Sequence, residues 1–281
     1  MMADVEQVLG EALALGDLGR WQEMADLLSV ALRDAPDDPY VLCWLGVAER
    51  ELDNEGVAYE LFKRCLEQDP LDPHLLSLAG AGLAVFDDPG AEPALRAAAL
   101  TGPDLPITRL QYGAYLAREG FFDEALDHLR AALALAPDDP TMHGELGTAL
   151  ALKGDLAGAA RAMEDALDLA PDDSWTRVLL GLIYAEQGEL EPAAESLLQA
   201  SRDRPEDGEA HVVAALAAAA AGWADAAEEA LARAGYAVEG MDAHLIHEAE
   251  ERLSAGSESA RMYLRETLAP SVLHDRLVQP L

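Results

Sequence analysis

Apolar residues along the chain recur at helical spacing, and the same short pattern returns again and again. In the stretch 193–200, Ala193, Leu197 and Ala200 fall at i, i+4 and i+7, one face of a helix. The trio recurs as Met24, Leu28, Ala31; Ala58, Phe62, Cys65; Ala125, Leu129, Ala132; Ala159, Met163, Ala166; and Ala227, Leu231, Ala234. Small ends let two helices approach, and a large middle residue fills the gap between them. Upstream of each trio lies a second apolar stretch, such as SWTRVLLGLIYAEQ before the breaker Gly188. Each period therefore predicts two helices joined by a turn.

Two further markers fix the register. Prolines stand at 36, 70, 103, 137, 171 and 205, in steps of 34, 33, 34, 34 and 34 residues. Glycines inside the first helix of each pair stand at 46, 80, 113, 147 and 181, and Ala215 continues that series. The phrases LRDAPDDP (32–39), LALAPDDP (133–140) and LDLAPDDS (167–174) are the junctions between pairs. Proline stops the preceding helix because it lacks an N–H and its ring clashes with the turn before it. An aspartate such as Asp38 or Asp139 can accept the free N–H groups that open the next helix, and Pro39 or Pro140 suits the first helical position.

A 34-residue pair with a leucine–glycine step, an alanine, a large apolar residue and a closing proline resembles the tetratricopeptide repeat. Leu45-Gly46 with Ala58, Phe62 and Pro70 carry the signature, as do Leu146-Gly147 with Ala159, Met163 and Pro171, and Leu180-Gly181 with Tyr184, Ala193, Leu197 and Pro205. Tyr112-Gly113 with Ala125, Leu129 and Pro137 vary only the leucine. The resemblance implies an all-α protein: a right-handed α-solenoid of about seven helix-turn-helix units with a C-terminal capping helix. The units run 5–38, 39–72, 73–105, 106–139, 140–173, 174–207 and 208–241. The cap is expected within 242–268 and a tail over 269–281, beginning at the helix breaker Pro270. The third unit diverges: it carries Asp87-Asp88-Pro89-Gly90 and Pro93, so its second helix is expected to be short.

Composition narrows the function. The sequence holds 53 acidic and 19 basic residues, a net charge of −34. Such a surface repels phosphates, which argues against nucleic acid and anionic membranes and leaves a basic protein segment as an acceptable partner. Part of the acidity is turn chemistry repeated at every junction. The longest alanine-rich run, Val212 to Ala221, is too short to span a bilayer, and the start of the chain lacks a basic stretch ahead of an apolar one. A cytoplasmic protein is expected. Cys43 and Cys65 fit no metal or redox spacing and read as buried thiols.

Catalytic motifs are absent: neither GxxxxGK[ST] nor GxSxG occurs, and no cofactor is expected. His244, His247, Glu248 and Glu251 could share one helix face and hold a metal ion, which keeps a metal-dependent enzyme as a minor alternative. His143 and His211 occupy equivalent places early in their first helices and read as interface residues.

In the tetratricopeptide repeat family the first helices line a groove that holds peptides or helices. One groove type clamps a C-terminal carboxylate with lysine, asparagine and arginine; the matching positions here carry Cys43, Val47, His74 and Leu78, so that ligand is not expected. The row read as groove wall comprises Cys43, Val47, Leu78, Leu110, Ala114, Val178, Leu182, Val212 and Leu216, interrupted in the fifth unit by Gly144, Glu145 and Thr148. It is apolar with an acidic margin. The expected function is a non-catalytic scaffold or adaptor for a peptide or amphipathic helix of another protein. The alternative is an acidic chaperone for a basic or aggregation-prone partner. The apolar tail (Val272, Leu273, Leu277, Val278) is a candidate occupant of a groove, its own or that of a second copy.

Overall fold

The computed structural model describes residues 5–236 and 243–278. All regular structure among them is helical. Seven helix pairs follow one another: α1 (Val5–Asp17) with α2 (Trp21–Asp34), α3 (Pro39–Glu51) with α4 (Glu55–Glu67), α5 (Pro73–Ala84) with α6 (Ala91–Thr101), and α7 (Pro106–Arg118) with α8 (Phe122–Leu135). Then come α9 (Pro140–Lys153) with α10 (Leu156–Leu169), α11 (Ser174–Gln187) with α12 (Leu190–Asp203), and α13 (Gly208–Ala220) with α14 (Ala224–Ala234). Beyond them lie α15 (Ala243–Ser254), α16 (Ser257–Tyr263), a π turn over Leu264–Leu268, and α17 (Ala269–Leu277).

The chain divides into two compact units. The first holds residues up to 119 together with 127–135; the second holds 120–126 and 136 onward. Within the first, α3 packs on α4, α5 on α6, and consecutive first helices touch, α3 on α5 and α5 on α7. Within the second, α9 packs on α10, α11 on α12 and α13 on α14, with α12 lying against α13. Each unit is thus a stack of hairpins, the architecture of an α-solenoid.

The sequence punctuation has direct structural causes. Asp38 accepts hydrogen bonds from the backbone N–H groups of Tyr40 and Val41 at 2.9 and 3.1 Å, and Asp139 from that of Thr141 at 2.9 Å. Asp72, Asp173 and Asp207 cap α5, α11 and α13 in the same way. The glycines at 46, 80, 147 and 181 mark close crossings within their hairpins. A Cβ on Gly46 would stand 2.8 Å from the Phe62 ring, and one on Gly181 would stand 2.6 Å from Leu197 Cγ. Both partners are the large middle residues of the repeated trio. The crossing is so tight that only a hydrogen fits, and the dispersion gained by the close approach replaces what a methyl would have supplied.

Pro270 does not end the helix that contains it. It sits in the first turn of α17, and the backbone N–H of Ala269 reaches Leu264 O, one residue further back than an α-helical bond. A proline in mid-helix lacks a donor and crowds the preceding turn; the widened turn before it accommodates both defects.

Candidate functional site

Residue four of several first helices reaches back to the carbonyl of the junction proline before it. His143 Nε2 meets Pro137 O at 2.8 Å, His211 Nε2 meets Pro205 O at 3.3 Å, and Arg109 Nε donates to Pro103 O at 2.6 Å. Arg177 does the same to Pro171 O. These side chains lock each hairpin to the previous junction. Cys43 and Cys65 are free thiols, both buried; Cys65 donates to Pro39 O at 3.3 Å. A hydrogen bond to Cys65 and burial both push the Cys43 thiol well above its ordinary value, so it stays protonated and unreactive.

The row expected to form an open groove wall is mostly enclosed. Cys43, Val178, Leu182, Val212 and Leu216 are completely buried, and Val47, Leu110 and Ala114 nearly so. Only Leu78 keeps part of its surface; Trp44 and Tyr115, packed on the same core and not singled out by the sequence reading, do as well. A first helix is covered by its own hairpin partner and by its neighbours on either side, leaving one narrow stripe. In the second unit much of that stripe is taken. α17 lies along α11 and touches α9, while α16 and α15 lie on α13.

The docked C-terminal helix presents Leu264, Leu268, Val272, Leu273 and Leu277, all buried. It also buries Arg276. Arg276 Nη2 lies 3.0 Å from both carboxylate oxygens of Asp207 and 2.9 Å from Glu209 Oε2, and its Nε lies 3.2 Å from Glu209 Oε2. The guanidinium sits 5.3 Å from the centre of the Trp175 ring, and that of Arg204 sits 5.5 Å from it. Burial raises the Asp207 carboxyl, but the Ala210 N–H, Arg276 and Arg204 outweigh it and hold the group below the usual carboxylate range.

Where the fifth hairpin departs from the apolar row, a cavity of about 360 Å³ opens between α9 and α11. It is lined by Thr141, Gly144, Glu145, Thr148, Trp175 and Thr176, among others. Gly144 makes the space: a Cβ there would meet only Thr176 Oγ1, at 3.9 Å. Glu145 and Thr148 are buried polar residues in its wall. Asp173, at its edge, is engaged as the cap of α11, accepting from Trp175 and Thr176 N–H at 3.0 and 3.2 Å. No residue of α17 lines this cavity. Its wall therefore combines acidic, hydroxyl and indole side chains.

His244 and His247 stand on α15 with exposed rings. His244 Nδ1 lies 3.7 Å from Glu248, and the His247 ring lies 3.7 and 3.6 Å from Glu250 and Glu251. Among the described residues no three histidine, cysteine or acidic side chains gather in a way that could hold a metal ion. Among them, too, no helix is long and apolar enough to cross a membrane.

Tetratricopeptide repeat sequence profiles match residues 9–73 and 113–174, and a second profile of the same description matches 150–217. No curated protein sequence matches the chain. Similar solved structures include Cut9–Hcn1 of the APC/C, with a TM-score of 0.71, 18% identity, and coverage of 86% of this chain and 48% of that one. The pilF protein of Pseudomonas aeruginosa gives a TM-score of 0.61 at 17% identity, covering 76% of this chain and 96% of that one. TTC0263, a TPR protein of Thermus thermophilus, gives 0.51 at 28% identity, covering 62% and 95%.

Proposed function

Because the chain belongs to the tetratricopeptide repeat family, we propose that it is a non-catalytic protein-interaction scaffold that holds a peptide or helix of a partner against its first helices, with a basic side chain of that partner in the cavity between α9 and α11. The observation that carries this reading is the cavity itself, with Glu145, Thr148 and Trp175 in its wall. A lysine or arginine suits it: the acidic wall supplies the counter-charge and the threonine hydroxyls accept hydrogen bonds. The net charge of −34 speeds the approach of such a segment and makes its on-rate fall with salt. That same charge favours the second reading, an acidic chaperone. A chaperone binds many basic chains with affinities that track net charge, whereas a scaffold selects one pattern.

Gly144→Leu tests the proposal cleanly, because the position has room for a side chain and a helix tolerates leucine better than glycine. A displayed library of twelve-residue peptides, selected on the full chain, is expected to yield sequences with a fixed lysine or arginine. Their affinity for Gly144→Leu should be at least tenfold lower. Peptides that lack a common basic position, or that bind both proteins equally, refute the cavity as the recognition point.

A further inference from the structure

The C-terminal segment does more than close the last hairpin. α15 and α16 already pack on α13, which covers the apolar end of the stack. α17 instead turns back onto α11 and α9, two hairpins upstream. A helix that serves only to seal apolar surface needs apolar residues. This one also carries Arg276 into a buried site, paired with Asp207 and Glu209 and stacked on Trp175. Buried ion pairs add little net stability over apolar side chains of the same size, and their best-attested use is to fix register and partner choice. A planar guanidinium presents its Nε and Nη2 to the two carboxylates in a fixed geometry with its face toward the ring, whereas an ammonium is a point charge on a flexible stem. The site thus reads a helix by pattern and by an arginine.

We propose that the face formed by α9, α11 and α13 is a docking site for an amphipathic helix of a partner, and that residues 257–277 are its built-in occupant. The partner helix carries apolar residues in the spacing of Leu268, Val272, Leu273 and Leu277, with an arginine immediately before the last. It binds by displacing the C-terminal helix, so the two occupants exclude each other. The inference rests on the scaffold reading above and adds the partner's pattern and its competitor. A tethered occupant competes at high effective concentration, so the intact chain binds a visitor more weakly than a chain whose own helix is undocked.

The full chain and its Leu273→Asp/Arg276→Glu variant test this, with a fluorescent synthetic peptide of residues 257–278 standing in for the partner helix. The variant is expected to bind the peptide at least tenfold more tightly than the unaltered chain, by fluorescence anisotropy. A peptide carrying Arg276→Lys should lose most of that gain. Amide hydrogen exchange on the unaltered chain gives a reading independent of any variant: α17 should exchange at least tenfold faster than α11 and α13. Equal binding by both proteins, or a variant with intact hairpins that does not bind the peptide, overturns the proposal. So does exchange of α17 in step with α11 and α13, which makes it an integral part of the stack. The library selection reports on the cavity and the exchange of α17 reports on the docking face, so failure of the one and failure of the other are read separately.

Discussion

The crossing of Gly181 and Leu197 gives the sharpest test of why these hairpins close as they do. A methyl on Gly181 would stand 2.6 Å from Leu197 Cγ and 3.0 Å from Cδ2. Leu197 is fully buried, so it has no free space to move into. Overpacking of this kind costs about 1–3 kcal/mol. Alanine in place of glycine in a helix returns about 1 kcal/mol. Gly181→Ala alone should therefore destabilise by about 0–2 kcal/mol. Leu197→Ala alone removes a fully buried side chain and should cost about 2–5 kcal/mol. In the double variant both clashing carbons are gone. The methyl on residue 181 then gains its helix propensity without strain and occupies part of the void. Gly181→Ala should thus change sign, from destabilising beside leucine to stabilising by about 1 kcal/mol beside alanine. The Leu197 backbone N, 3.3 Å away, is present in both backgrounds and cancels. Stacked hairpins need not unfold in one step, so the fitting assay is hydrogen exchange of the α11 and α12 amides in the four proteins. Additivity within about 0.5 kcal/mol would show that the clash does not govern the crossing.

Two further outcomes follow from the junction chemistry. Asp139→Ala removes the side chain that caps α9 and should cost about 0.5–2 kcal/mol, read as a lower urea midpoint, while Asp139→Asn should keep most of the stability. Burial holds the His211 imidazole below its ordinary value, against the Pro205 carbonyl, Asp207 and Glu206, which favour the charged form; nearby Arg233 adds to the lowering. A base with a depressed folded pKa is stabilised when neutral, so this contribution is intact above about pH 6.5 and is lost as pH falls from there toward the folded value. Urea midpoints at pH 7.5 and 5.5 should drop further for the unaltered chain than for His211→Gln, and parallel drops would refute the assignment.

The hairpins and their caps were legible in the sequence, and the glycines stood out there as markers of register, because each recurs at fixed spacing. Asp38, Asp139, Gly46 and Gly181 act within a few residues or within one hairpin, so a single period reveals them. Exposure was not legible in the same way. Val178 and Leu182 read as groove wall, yet α12, α17 and the π turn enclose α11 on several sides. Glutamate at Leu110 or Val178 would place a charge in a buried site and disrupt the fold, so neither position can probe a surface. One sequence signal did point to the enclosure: VVAALAAAA, the run of α13 after His211, is apolar all round, which is the mark of a helix covered on every side. The site of Arg276 was hidden for a different reason. Asp207 and Glu209 lie in the sixth junction and the start of α13, far from the C-terminus along the chain, and no period links them.

The π turn at Leu264–Leu268 acts as a phase shifter. One residue of α-helix subtends about 100° about the axis. The extra residue held in that turn therefore sets the azimuth at which everything after it faces the rest of the molecule. With it, Val272, Leu273 and Arg276 come round to α11 and the Asp207 junction; excised, the same three side chains would aim about a quarter-turn away, with their composition untouched. In this chain the direction in which the final helix looks is stored as a count of residues.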